Sequence, residues 1–235
     1  MKNKHPEKVK SLFISDVHLG SRSANSSGVL EILKKYSPEK LFIVGDFIDG
    51  WKLQRRHHWT QDDTNLIRKI LSYTKENVEV IYIIGNHDDF LRQYDDMHFG
   101  NITFLEEVVY DGYFIVHGDH YDGIVNLKWL AKIGSIGYEL AMDIDRLLKK
   151  VGVRRSLSHT LKTKVKDAVK FITNFEEEVV RQATLRGCHG VICGHIHKPE
   201  DKNINGVRYL NCGDWIENNS YIIQHMDGSY ELKTS

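Results

Sequence analysis

Three stretches decide how this chain reads: SLFISDVHLG (Ser11–Gly20), LFIVGDFIDGW (Leu41–Trp51) and VIYIIGNHDD (Val80–Asp89). Each opens with four or five residues rich in aliphatic and aromatic side chains, the composition of a strand buried on both faces. Each then breaks into a cluster of Asp, His, Asn and Gly, where a strand has to end. Between them, Val29–Tyr36 and Asp62–Lys75 space their apolar residues as helices do, the second placing Leu66, Ile67, Ile70 and Leu71 on one face. The order β-α-β-α-β predicts a largely parallel sheet. Further strand-like runs follow with little helix between them: Ile102–Leu105, Tyr113–Val116, Val191–Cys193, Val207–Leu210 and Tyr221–His225.

One segment departs from this rhythm. From Trp129 through Ile133, Ile136, Leu140, Ile144 and Leu147 to Val151, apolar residues recur every three or four positions. A second such series runs from Leu161 to Ala183. The expectation is a helical hairpin, residues 125–187, inserted into a single α/β domain that spans 1–235. Charge concentrates there. Between Arg146 and Lys170 nine basic residues stand against Asp167 alone, a local +8 that the remainder of the chain balances. Three readings stay open for it: a solvated face, a cap over a bound tail, or a surface that meets anionic membrane.

Composition sets the outer bounds. The chain has 235 residues, 41% hydrophobic and 10% aromatic, which is enough for a large core and argues against disorder. Its 32 basic and 32 acidic side chains cancel, so no global bias points to nucleic acid. Three cysteines form no closed disulfide set and suit a reducing compartment. No secretory signal and no apolar run of about 18 residues is seen. The expectation is a cytoplasmic protein, held at most peripherally on the inner face of a membrane, with no obligate protein partner.

Five ligand clusters fall at the ends of predicted strands. They are Asp16 and His18; Asp46 and Asp49; Asn86, His87 and Asp88; His117, Asp119 and His120; and His195 and His197. In open α/β sheets the carboxyl ends of the strands border the ligand crevice, so the five can converge. Imidazole, carboxylate and one amide form a mixed N/O set that suits Mn²⁺, Fe or Zn²⁺ better than Mg²⁺ or Ca²⁺. There are too many ligands for one tetrahedral zinc, and a two-metal site, suited to in-line displacement at phosphorus, would use them all. Guanidinium groups such as Arg55, Arg56 and Arg92 match phosphate geometry. Trp51 and Trp215 read as core residues, and Cys193 and Cys212 as inert core thiols.

D-x-H, G-D-x-x-D, G-N-H-D, H-G-D and G-H-x-H, in that order, resemble the calcineurin-like metallophosphoesterases over about Ser11–Trp215. The resemblance implies a four-layer αββα sandwich carrying two metal ions, most simply Mn²⁺. One ion would be held by Asp16, His18, Asp46 and His197, the other by Asp46, Asn86, His117 and His195. It implies His87 as the catalytic histidine and Asp88 as the group that orients it, with Asp49 either behind the metal ligands or near the substrate; Arg92, by its guanidinium, is read as a substrate contact. GDFIDGW, HGDHYD, the basic insertion and YLNCGDWIENN are similar to the UDP-2,3-diacylglucosamine pyrophosphatase-like group. That group includes the lipid A enzyme that cleaves UDP-2,3-diacylglucosamine. The lipid A enzyme typically has Arg where this chain has His87, so the resemblance is to its broader relatives. The other expectations weighed are a phosphodiesterase for another nucleotide or nucleic acid, and a non-catalytic scaffold. Scaffolds of this kind lose ligands or the histidine, and here all are present.

Overall fold

The computed structural model describes residues 5–55, 58–121 and 157–235, the last with side chains from 170 onward. In chain order the elements are β1 (Glu7–Ile14), α1 (Ser26–Lys35), β2 (Tyr36–Val44), α2 (Gly50–Arg55), α3 (Gln61–Glu76), β3 (Glu79–Ile83), β4 (His98–Phe99), β5 (Ile102–Leu105), β6 (Glu107–Tyr110) and β7 (Tyr113–Val116). Then come α4 (Leu157–Leu185), β8 (Gly190–Cys193), β9 (Glu200–Ile204), β10 (Val207–Asn211), β11 (Ser220–Gln224) and β12 (Tyr230–Thr234). They divide into two compact units, Met1–Asp119 with Val180–Ser235, and His120–Val179. The second unit holds most of α4, the expected second arm of the hairpin. The expected first arm lies outside the described residues.

The first unit contains two sheets, a mixed α/β fold as expected. The larger has the order β12-β11-β1-β2-β3-β5-β4, the smaller β6-β7-β8-β10-β9. At the centre of the larger sheet β1, β2, β3 and β5 run parallel, with Leu12 opposite Leu41 and Leu41 opposite Val80. In the smaller sheet β7, β8 and β10 are parallel, with Ile192 between Ile115 and Leu210. Parallel pairing brings the carboxyl ends of these strands to one edge of each sheet.

Strand alternation builds two cores. Leu12, Ile14, Leu41, Ile43, Val80 and Tyr82 face Val29, Ile32 and Leu33 of α1 and Leu66, Ile70 and Tyr73 of α3. Their neighbours Phe13, Phe42, Val44, Ile81 and Ile83 turn to the opposite face and meet Tyr113, Ile115, Ile192 and Leu210 of the second sheet. Phe13 and Phe42 stack there, ring centroids 4.6 Å apart. On the outer face of the second sheet the Arg186 guanidinium, just past α4, lies 4.2 Å over the Phe114 ring, and Val180 and Ala183 are buried.

Local chemistry sets the helix ends. Thr60 Oγ1 accepts the Asp63 amide at 3.1 Å and the Asp63 carboxylate takes the Thr60 amide at 2.7 Å, a capping box that starts α3. Asn77, at φ 57°, ends it. The strands absent from the sequence reading, β4, β6, β9 and β12, all lie at sheet edges. The sequence EDKNI of β9 carries almost no apolar signal, and its backbone is ordered by pairing with β10. Among the described residues no helix is long and apolar enough to cross a membrane.

Because Phe42 fills the layer between the sheets, Phe42→Ala should lower the unfolding free energy by about 3–5 kcal/mol. Urea denaturation measures this. A loss below about 1 kcal/mol would mean the sheets do not depend on this ring.

Candidate metal centre and active site

Five strands deliver the candidate ligands. Asp16 and His18 follow β1, Asp46 and Asp49 follow β2, Asn86 and His87 follow β3, His117 follows β7, and His195 and His197 follow β8. The loops are stitched together through the backbone. The amides of Asp16 and His18 donate to the carbonyls of Gly45 and Asp46 at 3.1 and 2.9 Å, Gly194 N donates to His117 O at 3.1 Å, and Trp215 N to Asp16 O at 3.1 Å. The two sheets are thereby joined at the edge where the side chains meet.

The backbone here is bent into a conformation that L-residues avoid. Asp16, His18, Asp46, His195 and His197 have φ between 50° and 68°. The other non-glycine residues with positive φ among those described are Asn or Asp in turns, which tolerate it. Left-handed backbone at five clustered ligand-type residues is the kind of strain found at functional sites. Two glycines make room. Gly45, at φ 79°, lies where any Cβ would overlap the His117 ring, and a Cβ on Gly194 would overlap Ser15 and Asp16.

Asp46 is the hub. Its Oδ1 accepts the His87 amide at 2.7 Å and lies 3.4 Å from His117 Nε2. Its Oδ2 is 3.8 Å from both His18 Nε2 and His87 Nε2. Asp16 Oδ1 is 3.1 Å from His197 Nε2 and 3.8 Å from His18 Nε2, while Asp16 Oδ2 accepts the His195 amide at 3.0 Å and the Ser15 hydroxyl. His18 and His197 point their Nε2 atoms at each other, 3.3 Å apart. His117 Nδ1 is 3.0 Å from the Val44 carbonyl, which fixes that nitrogen as a donor and turns Nε2 toward Asp46. The rings of His117 and His195 meet edge to face at 5.1 Å.

Charge follows from this crowding. Burial alone would lower the His18 pKa, but Asp16, Asp49 and Asp46 outweigh it and hold the imidazole at about 9. His117 is likewise opposed by burial and raised well above its ordinary value by Asp46 and Asp16. Burial works to raise Asp16 and Asp46, yet His197 and His18 around the first, and His117 and His18 around the second, hold both well below the usual carboxylate range.

The donor set fits a cation. Asn86 Oδ1 is buried with no hydrogen-bond partner among the described residues, and Asp16 Oδ1 and His117 Nε2 are buried facing other side chains of the same cluster without a well-formed hydrogen bond, a costly arrangement unless something else satisfies them. Asp16, His18 and His197, and separately Asp16, Asp46 and His117, bring ligand atoms within 4.8 Å of one another. Oxygen and imidazole donors from both sheets thus converge, with Asp46 facing both groups.

The neighbours of His87 differ from the sequence reading. Asp88 does not orient it. The Asp88 carboxylate accepts the amides of Phe47 and Gly85 and the Tyr82 hydroxyl, and burial together with the Asp46 charge pushes its pKa up to about 6. His87 Nδ1 lies instead 3.0 Å from Asp49 Oδ1, whose other oxygen is 3.6 Å from His18 Nδ1. Asp49 is fully buried, so it supports two histidines rather than meeting substrate. Arg92 is not open to a phosphate either, because its guanidinium is committed to Glu106 and Asp119 at 3.0 and 2.6 Å. Of the two tryptophans read as core, Trp215 is buried, but Trp51 is 38% exposed and its ring lies 4.2 Å from that of His87. Cys193 and Cys212 are buried and form no disulfide among the described residues, as expected of core thiols. Arg56 and His57 lie outside the described residues.

Two contributors went unnoticed in the sequence. Buried Asp214, after β10, has Oδ2 3.8 Å from His197 Nδ1, and Asn218 bridges it to the His197 carbonyl. Ser15 Oγ sits between Asp16 Oδ2 and the Val44 carbonyl. The GDWIENN segment was a signal for the first; a single serine at a strand end carries none.

Residues 9–199 match the family described as calcineurin-like phosphoesterase. A UDP-2,3-diacylglucosamine hydrolase of Marinobacter nauticus is 27% identical over 223 residues, covering 88% of this chain and 90% of the relative. A UDP-2,3-diacylglucosamine hydrolase of Porphyromonas gingivalis is 23% identical over 251 residues, covering 91% and 93%. Among solved structures, a novel archaeal phosphodiesterase superposes with a TM-score of 0.48 at 15% identity, covering 96% and 99%. The match over most of its length assigns this chain to the calcineurin-like phosphoesterases, a family of metal-dependent hydrolases.

Proposed function

We propose that this chain is a binuclear metal hydrolase that cleaves the pyrophosphate of a nucleotide-sugar lipid such as UDP-2,3-diacylglucosamine. The observation that carries the reading is the convergence of buried Asp16, Asp46 and His117 ligand atoms within 4.8 Å of one another, with Asn86 Oδ1 buried and without a hydrogen-bond partner among the described residues. Asp16, His18, Asp46 and His197 would hold one divalent ion; Asp46, Asn86, His117 and His195 would hold the other, with Mn²⁺ the best match to mixed N/O donors. When bound, such ions supply Lewis-acid charge to the phosphoryl group and activate a water. A water oxygen bonds to phosphorus as the phosphorus–oxygen bond to the leaving group breaks, with His87 Nε2 supplying the proton to the departing oxygen. Asp49 holds Nδ1 and so keeps Nε2 on the Asp46 side. The substrate is suggested by the hydrolases named above, which match this chain over nearly their whole length. The basic segment Arg146–Lys170, within an inserted cap, suits the phosphates of such a lipid or the anionic membrane from which it is drawn.

The direct test is turnover by Mn²⁺-loaded protein on UDP-2,3-diacylglucosamine, other nucleotide pyrophosphates, bis-p-nitrophenyl phosphate and single-stranded DNA. The lipid pyrophosphate is expected to give the highest kcat/KM. Preferred cleavage of DNA would overturn the reading in favour of a nuclease, and no turnover of any would favour a scaffold.

Metal loading should displace protons, because ligands bind deprotonated. With His18 held at about 9 in the metal-free protein, Mn²⁺ affinity should rise with pH through neutrality and level off above about 9. Calorimetry at neutral pH in two buffers of different ionisation enthalpy should register proton release, and elemental analysis two ions per chain. Asp46→Ala should lower occupancy at both sites, His18→Ala mainly at one. Affinity that is flat with pH would remove His18 from the ligand set.

His87→Ala should reduce turnover about 10²- to 10⁴-fold on poor leaving groups, with metal content preserved. The loss should shrink for p-nitrophenolate, which needs little protonation. Asp49→Asn should show the same leaving-group dependence more weakly, and Asp88→Asn should not. Equal losses on good and poor leaving groups would deny His87 the acid role.

A further inference from the structure

Two aromatic side chains stand exposed beside His87, and neither the metal centre nor the core accounts for them. Trp51 is 38% exposed and Phe90 42%. They come from different elements, Trp51 from α2 and Phe90 from the 3-10 turn Asp89–Tyr94, and Phe90 lies against Gly50, the residue before Trp51. A Cβ on Gly50 would lie 3.0 Å from the Phe90 ring and 2.9 Å from the His87 carbonyl. Gly50 N donates to that carbonyl at 2.9 Å, so α2 is pinned to His87 by a backbone bond as well as by the Trp51 ring 4.2 Å from the imidazole. The next residue, Lys52, is exposed and keeps its ammonium at the same rim, 2.9 Å from Ser21 Oγ and 3.3 Å from Asp49 Oδ2.

We infer that Trp51 and Phe90 form an aromatic platform that stacks the base of a nucleotide whose phosphate reacts beside His87. The inference deepens the proposed function and rests on it. Whatever meets these rings must belong to a molecule whose phosphoryl group lies a few ångströms away, among the histidines and carboxylates. Lys52, Asp89 and Gln93, near these rings in the chain, are charged or polar and all exposed. Such a surface suits one planar ring carrying polar edges. An acyl chain would need an extended apolar groove instead. Stacking on aromatic faces tolerates any base and contributes substantially to nucleotide affinity.

The test compares uridine 5′-monophosphate with ribose 5-phosphate, which carries the same phosphate without the base. Calorimetric affinities are measured on Mn²⁺-loaded wild type, Trp51→Leu, Trp51→Phe and Phe90→Ala. Wild type should bind the nucleotide about 10-fold tighter or more. Trp51→Leu should bring that ratio close to one, Trp51→Phe should restore part of it, and Phe90→Ala should reduce it. Thermal unfolding and metal content report whether the variants remain folded and loaded. A wild-type ratio near one, or a ratio unchanged in Trp51→Leu, would overturn the platform while leaving the metal centre intact. The platform is also overturned if octyl phosphate outbinds ribose 5-phosphate and loses that advantage in Trp51→Leu, since the rings would then serve an acyl chain. Failure of wild type to bind either sugar phosphate overturns the proposed site itself, and the platform with it.

Discussion

The Asp46 carboxylate is the constraint on which the rest of this molecule depends. It is buried at the end of a central parallel strand, in a setting where an uncompensated charge would be very costly. Compensation comes from every side: the His87 amide, the imidazoles of His117, His18 and His87, and the loop carbonyls that fix their orientation. Those histidines arrive on three other strand ends, from both sheets, so the carboxylate is satisfied only when both sheets are in place. Folding and site assembly are therefore one event. The same crowding holds Asp46 ionised and His18 and His117 protonated in the metal-free chain, a charge pattern that a divalent cation can take over.

Backbone strain follows from that convergence. A strand that ends in an ordinary turn carries its side chains away from the sheet edge. At Asp16, His18, Asp46, His195 and His197 the chain takes left-handed φ values, and the side chains meet at the edge instead. Such conformations cost about 1–3 kcal/mol each and persist only where the surroundings over-determine them. The cross-loop bonds from Asp16, His18 and Leu19 to Gly45, Asp46 and Phe47 supply that restraint, and so does the burial of Val17 and Leu19 between the ligands. Apolar Val17 and Leu19 thus alternate with Asp16 and His18 in the loop after β1.

The roles of Asp49 and Asp88 show how little chain proximity says about function. Asp88 is adjacent to His87 but turns inward to gather two amides and the Tyr82 hydroxyl, bracing the loops after β2 and β3. Asp49, 38 residues earlier, reaches His87 because β2 and β3 are neighbours and α2 begins against the His87 carbonyl. The tripeptide Asp49–Gly50–Trp51 touches His87 at its ring nitrogen, its backbone oxygen and its ring face.

The sequence by itself determined the parallel core of the larger sheet, the places where its strands end, and the identity of the metal-type donors. Runs such as Leu41–Val44 are long enough and apolar enough to be nothing but buried strand, and a donor cluster after each run has one geometric destiny in a parallel sheet. The tertiary structure alone decided which donors touch. The edge strands β9 and β12 carry mostly polar residues, and their pairing comes from a neighbour that sequence periodicity does not report. Asp49 and Asp88 are equivalent carboxylates on paper, and Trp51 and Trp215 equivalent indoles. What separates them is which side of the loop each leaves from, a matter of a few backbone dihedrals fixed by contacts between residues far apart in the chain.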